Sequence, residues 1–163
     1  MTGIQTAAIQ YLSDKHIHFQ LFTHFTRVSS LEQAARERNH LPEQVIRSLL
    51  FRIGDGLFTM VLIAGPAQVS WPKLRQYFGQ NRLTMATPAE VLENTGYKVG
   101  AVSPFGLPKI IPILADNNII AYDEVSLGSG SAGTAILMHS SDLIKNIDNL
   151  YISDFASLDN NAE

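Results

Sequence analysis

V-I-R-S-L-L-F-R-I-G-D-G-L-F-T-M-V-L-I-A, residues 45–64, is the stretch that decides the fold class. Two apolar runs, 45–53 and 57–64, flank Gly54-Asp55-Gly56, a composition suited to a tight turn between antiparallel strands. The second run, Leu57 to Ala64, is apolar at almost every position and lacks the alternation of a strand with one wet face. It is predicted to be central in a sheet and covered on both sides.

Outward from this hairpin, helices and strands alternate. Ile4, Ala7, Ala8, Tyr11 and Leu12 fall at helical spacing, which predicts a helix over 3–14. His16 to His24 alternates with a period near two and reads as a strand. Ser30 with Gln33, or Ser29 with Glu32, makes a capping box for a short helix, and Pro42 suits the first turn of another. Ser70 opens a helix that Gly79 ends. Thr87-Pro88-Ala89-Glu90 combines an N-cap, a proline at the first position and a glutamate at the third, with Gly96 as the stop. Ile110–Ala115, Ile119–Tyr122 and Ala135–His139 read as strands, Ser141 as the cap of a last helix through Asn146, and the polar end from Asp154 as frayed. No repeat or linker interrupts the order. A single α/β domain over residues 1–163, with a mixed sheet and helices packed on it, is expected.

The chain has 163 residues, 45% of them hydrophobic, with a formal net charge of −3 and no cysteine. It is long enough to bury a core, and without cysteine it offers neither disulfides nor a thiolate nucleophile. No apolar run reaches the ~20 residues of a membrane span, and no signal-peptide pattern opens the chain, so a cytoplasmic location is expected. The charge is unevenly placed: residues 27–82 hold eight Lys/Arg against four acids, and residues 110–163 one Lys against eight acids.

Gly128-Ser129-Gly130-Ser131-Ala132-Gly133 fits G-x-G-x-x-G, but a strand-like run follows instead of the helix a dinucleotide site needs. It reads as a glycine loop lining a pocket. His16 and His18 have no third ligand at a metal-binding spacing, so solvent-facing residues are expected there. No G-x-S-x-G elbow or phosphate loop occurs. Gly96 to Pro108 is different. Three glycines and two prolines in 13 residues make an irregular loop whose backbone N–H groups are suited to hold a carbonyl oxygen or a developing oxyanion.

Gly96-Tyr97-x-x-Gly100-x-x-Ser103-Pro104-Phe105-Gly106 resembles the signature loop of the YbaK/ProX-like aminoacyl-tRNA deacylases, relatives of the editing domain in bacterial prolyl-tRNA synthetase. Gly100 to Pro104 fits that family's G-x-x-x-P loop. His24, Ser30 to Ala35, the strand Pro42-Glu43-Gln44-Val45-Ile46-Arg47-Ser48-Leu49-Leu50-Phe51, Ala86 to Val91 and the Gly128–Gly133 turn are similar to its other motifs, over roughly residues 20–145. The resemblance implies a mixed sheet, partly barrel-like, with surrounding helices. It also implies hydrolysis of the ester joining a wrong amino acid to the 3′ end of tRNA.

By the same resemblance, Gly100, Ala101, Val102, Ser103 and Pro104 place the scissile carbonyl, with Arg47 as the charge beside it. His24, Phe105, Gly106, Gly128, Ser129 and Gly130 shape the substrate pocket. The implied partner is the aminoacylated end and acceptor stem of tRNA, with neither DNA nor membrane, and no cofactor or metal is required. The family's lysine falls on Arg47, and the two side chains are not interchangeable at a shaped site. A relative that keeps the pocket but is impaired in catalysis, acting as an aminoacyl-tRNA- or nucleotide-binding or regulatory module, is therefore the alternative.

Overall fold

In the computed structural model, which describes residues 4–157, the chain between 45 and 64 does form an antiparallel hairpin. Strand β2 (Ile46–Ile53) pairs with β3 (Phe58–Ala64) from Ile46↔Ala64 to Arg52↔Phe58. Gly54 and Gly56 turn the chain at φ +82° and +70°, a region open to glycine at little cost. The far edge of β3 takes β5 (Ile113–Asp116) in parallel, and β5 takes β8 (Tyr151–Ser153). With β4 (Leu83–Met85) on β2, the order of this five-stranded sheet is β4-β2-β3-β5-β8. A second sheet of β1 (Gln20–Thr23), β7 (Thr134–His139) and β6 (Glu124–Gly128) runs in the order β1-β7-β6. The sheets meet at a parallel bridge between Val45 and Ser126, and no closed barrel forms among the described residues.

Strand β3 is buried on both faces, as its composition requires. Met60, Leu62 and Ala64 point into one apolar cluster with Leu50, Phe105, Leu127 and Ile136, while Val61 and Ile63 point into a second with Phe51, Leu74 and Phe155. Helices α1 (Ala7–Asp14), α2 (Leu31–Glu37), α3 (Trp71–Phe78), α4 (Pro88–Thr95) and α5 (Ser140–Lys145) complete the fold. In α4 the full box closes: Thr87 Oγ1 accepts from the Glu90 N–H at 3.2 Å and Glu90 Oε1 from the Thr87 N–H at 2.9 Å. Gly96 stops the helix at φ +78°. For α2 the cap is Ser30, whose Oγ accepts from the Gln33 N–H, while Gln33 reaches back to the Ser29 N–H.

Several boundaries differ from the sequence expectation. Helix α1 begins at Ala7, capped by Thr6, and residue 3 lies outside the described residues. The expected strand from His16 shrinks to Gln20–Thr23, because the Ile17 N–H closes the helix end on Leu12 and His16 turns at φ +57°. His16 and His18 are both exposed. Ile119 lies in a 3-10 turn, Asn117–Ile120, rather than a strand. The strand expected over Ile110–Ala115 begins only at Ile113, and α5 begins at Ser140, one residue before the expected cap. Strands β4, β6 and β8 had no signal strong enough to predict. The end of the chain is also ordered further than expected: Phe155 is 2% exposed and Ala156 bridges to Val69. Residues 158–163 of the expected frayed tail lie outside the described residues.

Candidate active site

One edge of β2 is shared between two partners that do not meet. Strand β6 touches it at Val45, and β4 pairs with it only from Phe51 onward. Between these points the edge opens into a cleft of about 490 Å³. The Val45 carbonyl accepts from Gly65 on the β3 side, whereas the Leu50 carbonyl accepts from Ala86 on the β4 side. Backbone direction alternates along a strand, so the N–H and C=O of Ser48 fall on the open edge. The Ser48 hydroxyl is buried without a hydrogen-bond partner and lines the same cleft. Leu50, Val91, Val99, Val102 and Leu127 make the walls apolar.

The loop after α4 supplies the opposite rim. Gly100 adopts φ +92° with open space where a Cβ would stand, and Gly100 and Val102 both line the cleft. Among the described residues, neither N–H has an acceptor. The intervening Ala101 is committed: its N–H donates to Lys98 and its carbonyl accepts from Gly130 at 2.9 Å. Gly128 completes the clamp, because its backbone packs directly on the peptide of Val102. Behind the loop, burial pushes the Tyr97 hydroxyl up to about 12, so it stays protonated and donates to the Phe105 carbonyl. A rigid loop offering two free amide donors above an apolar floor can hold an oxyanion without rearrangement.

Two arginines reach this region in different ways. Arg47 contributes to the lining, but its guanidinium donates to the carbonyls of Gly65 and Ala67, in the turn that follows β3. Lysine at this position offers one compact ammonium for two carbonyls. Arg47→Lys is accordingly expected to cost about 1 kcal/mol in urea denaturation, the net worth of one such bond; no measurable loss would mean the two bonds are not holding the turn.

Arg38 also lines the cleft. Its Nε donates to His24 Nε2 at 3.1 Å and its Nη1 to Ser126 Oγ at 3.0 Å. His24 Nδ1 lies 2.6 Å from Glu37 Oε1, and that hydrogen bond holds the Glu37 carboxyl below its ordinary value. An ionised Glu37 can only accept, which puts the imidazole proton on Nδ1 and leaves Nε2 to accept from Arg38.

The expected site residues therefore divide. Arg47, Gly100, Val102 and Gly128 line the cleft, with Ala101 buried between two of them. His24 stands one layer back, behind Arg38. Ser103, Ser129 and Gly130 brace the loop: Ser103 Oγ accepts from the Phe105 N–H, and Ser129 Oγ bonds Thr134 Oγ1. Pro104, Phe105 and Gly106 face the other way, where Phe105 stacks on Tyr11 at 5.7 Å and Gly106 abuts Ala7. Sequence reading missed Arg38, Ser48, Met85 and Thr134 in the lining. Only Arg38 carried a signal, as a cation at the C-terminal cap of the short helix that follows His24, and that pattern is too common to single it out.

A family model described as an aminoacyl-tRNA editing domain matches residues 26–146. The proline--tRNA ligase of Kosmotoga olearia is 38% identical over 106 residues, covering 65% of this chain and 18% of the ligase. The uncharacterized protein YwhH of Bacillus subtilis is 33% identical over 111 residues, covering 68% of this chain and 70% of YwhH. The chain thus spans less than a quarter of the length of these curated ligases. Among solved structures, a candidate trans-editing enzyme for prolyl tRNA synthetase superposes with a TM-score of 0.84 at 22% identity, over 95% of this chain and 99% of that one. The hypothetical protein APE2540 superposes with a TM-score of 0.84 at 19% identity, over 93% and 100%. These two likenesses bear on the fold alone.

Proposed function

Since this chain belongs to the aminoacyl-tRNA editing domain family, we propose that it is a free-acting deacylase that hydrolyses the ester of mischarged tRNA in the cytoplasm. The observation that carries the reading is the cleft on the open edge of β2, capped by the unaccepted N–H groups of Gly100 and Val102. An aminoacyl ester is already activated, so a held water and a stabilised oxyanion suffice. Water adds to the ester carbonyl carbon, and the resulting oxyanion is held by the Gly100 and Val102 amides. Collapse breaks the bond to the ribose oxygen, which takes up one proton of the water; the other passes to solvent, and the amino acid leaves as its carboxylate. Ser48 Oγ, buried and unpartnered at the open edge, holds the attacking water. Arg47 acts as a positioning residue, fixing the turn beneath the strand. Tyr97, Ser129 and Gly130 keep the amide loop in place.

Incubation with alanyl-, cysteinyl-, seryl- and threonyl-esters on noncognate tRNA tests the reading. At least one ester is expected to be cleaved ~100-fold or more faster than in buffer, the contribution of oxyanion donors of this kind. No acceleration for any of the four would sink it. Of the eight cations of residues 27–82, the exposed Arg27, Arg36, Arg52 and Arg82 are those offered to the acceptor stem. Cleavage at subsaturating tRNA should therefore slow as salt rises.

A further inference from the structure

Arg38 is a half-buried guanidinium with no carboxylate in direct contact; the charge of Glu37 reaches it only across the His24 ring. Its two hydrogen bonds go to neutral acceptors, the His24 ring and the Ser126 hydroxyl. No carboxylate lies within ion-pairing distance of it among the described residues. Burial depresses the basicity of this guanidinium, and the charge of Glu37 offsets that only in part. The other solvent-shielded arginine near the cleft, Arg47, spends its donors on backbone carbonyls; Arg38 keeps its Nη2 unengaged. Its aim is fixed from behind, because Glu37 sets the tautomer of His24 and His24 sets the plane of the guanidinium. Such an arrangement is built to receive an anion. A planar fork with donors left over suits a phosphate or carboxylate.

The position of Arg38 narrows the choice. The cleft floor, Ile46, Leu50 and Leu127, is buried, whereas Arg38 is only half covered and so stands toward the mouth. A ligand that puts its reacting carbonyl at Gly100 and Val102 presents its trailing end there. We propose that Arg38 binds the phosphate on the 5′ side of the terminal adenosine, and so selects a nucleotide end over a free nucleoside or a simple ester. This rests on the deacylase reading for the identity of the ligand, but not for the existence of the anion site.

The test is calorimetric binding of adenosine 5′-monophosphate against adenosine, with hydrolysis of the mischarged panel and of an aspartyl ester measured separately. The monophosphate is expected to bind the wild type roughly tenfold more tightly, as one charge-assisted pair would give. That preference should vanish in Arg38→Gln and return in part in Arg38→Lys, which keeps the charge but not the fork. Equal binding of the two ligands by the wild type, or a preference that survives Arg38→Gln, overturns the proposal. Selective loss of aspartyl-ester cleavage in Arg38→Gln with the monophosphate preference intact assigns the guanidinium to an acidic aminoacyl group and overturns it too. A monophosphate preference that depends on Arg38, in a protein that cleaves no ester, supports the anion site and sinks the deacylase reading instead.

Discussion

Gly128→Ala is expected to lower the melting temperature by roughly 6–12 °C, the counterpart of about 3 kcal/mol in a chain of this size. Gly128 does not use the left-handed backbone region; what it lacks is room. A Cβ there would lie 2.0 Å from the Val102 carbonyl oxygen, 2.8 Å from its carbon and 3.2 Å from the Ala101 carbonyl carbon. All three are backbone atoms, so no rotamer change relieves the clash. Strand β6 and the 100–104 loop must separate by more than an ångström, and the amides of Gly100 and Val102 move with the loop. Displacement of that size at a reacting centre costs ~100-fold in rate, so ester cleavage should fall by about that factor.

Gly133→Ala is the control that separates space from backbone strain. Gly133 sits at φ +78° with nothing within 4 Å of its would-be Cβ. Alanine there meets only the left-handed penalty of about 1–2 kcal/mol. The two substitutions add the same methyl group to the same hairpin. If Gly128→Ala melts no lower than Gly133→Ala and cleaves as fast, the close approach of β6 does not hold the loop.

What could be read from the sequence was local and periodic. The unbroken apolar run of β3 required cover on both faces, and the Thr87 box required a helix start; both are properties of neighbours along the chain. The Gly128–Gly133 turn was separable from a nucleotide loop because a β-rich run followed it, and β7 is that run. The family resemblance grouped Gly100, Val102 and Gly128, and all three line one cleft, Gly128 packed on the Val102 backbone and Gly100 facing open space.

Side-chain direction was out of reach. Arg47 lies on the cleft strand, yet the pleat sends its guanidinium toward the Gly65–Ala67 turn, and only the register of β2 reveals that. Arg38 enters the wall through contacts with His24 and Ser126, the latter 88 residues away. Phe105 belongs to the same motif as Gly100, but a two-proline loop reverses its direction into the core.

Asp116→Ala is expected to destabilise the protein by about 3–5 kcal/mol, because it removes two or more buried hydrogen bonds to a charged acceptor at once. Asp116 is 1% exposed, and no cation pairs with it among the described residues. Its Oδ1 accepts from the N–H groups of Phe155 and Ala156 at 2.9 and 3.0 Å, and its Oδ2 from Asn118 at 3.1 Å. The carboxylate thus pins a segment that composition alone marks as a loose polar end. With the pin removed, Phe155 loses its place against Tyr77 and Tyr151, and the cluster of Leu74 and Val69 is uncovered. The exposed pair of Lys73 with Asp154, at 2.7 Å, is too well solvated to hold the segment by itself. Asp116→Asn should fall between, since its amide oxygen still serves Phe155 and Ala156 while its NH2 confronts the Asn118 donor. Urea denaturation reads the total cost, and amide exchange at Phe155 and Ala156 reads where it falls. Exchange there should approach the unprotected rate in the alanine variant before the rest of the sheet opens. A loss below about 1 kcal/mol would show that β8 and the aromatic cluster hold the end of the chain without the carboxylate, against the geometry of its three donors.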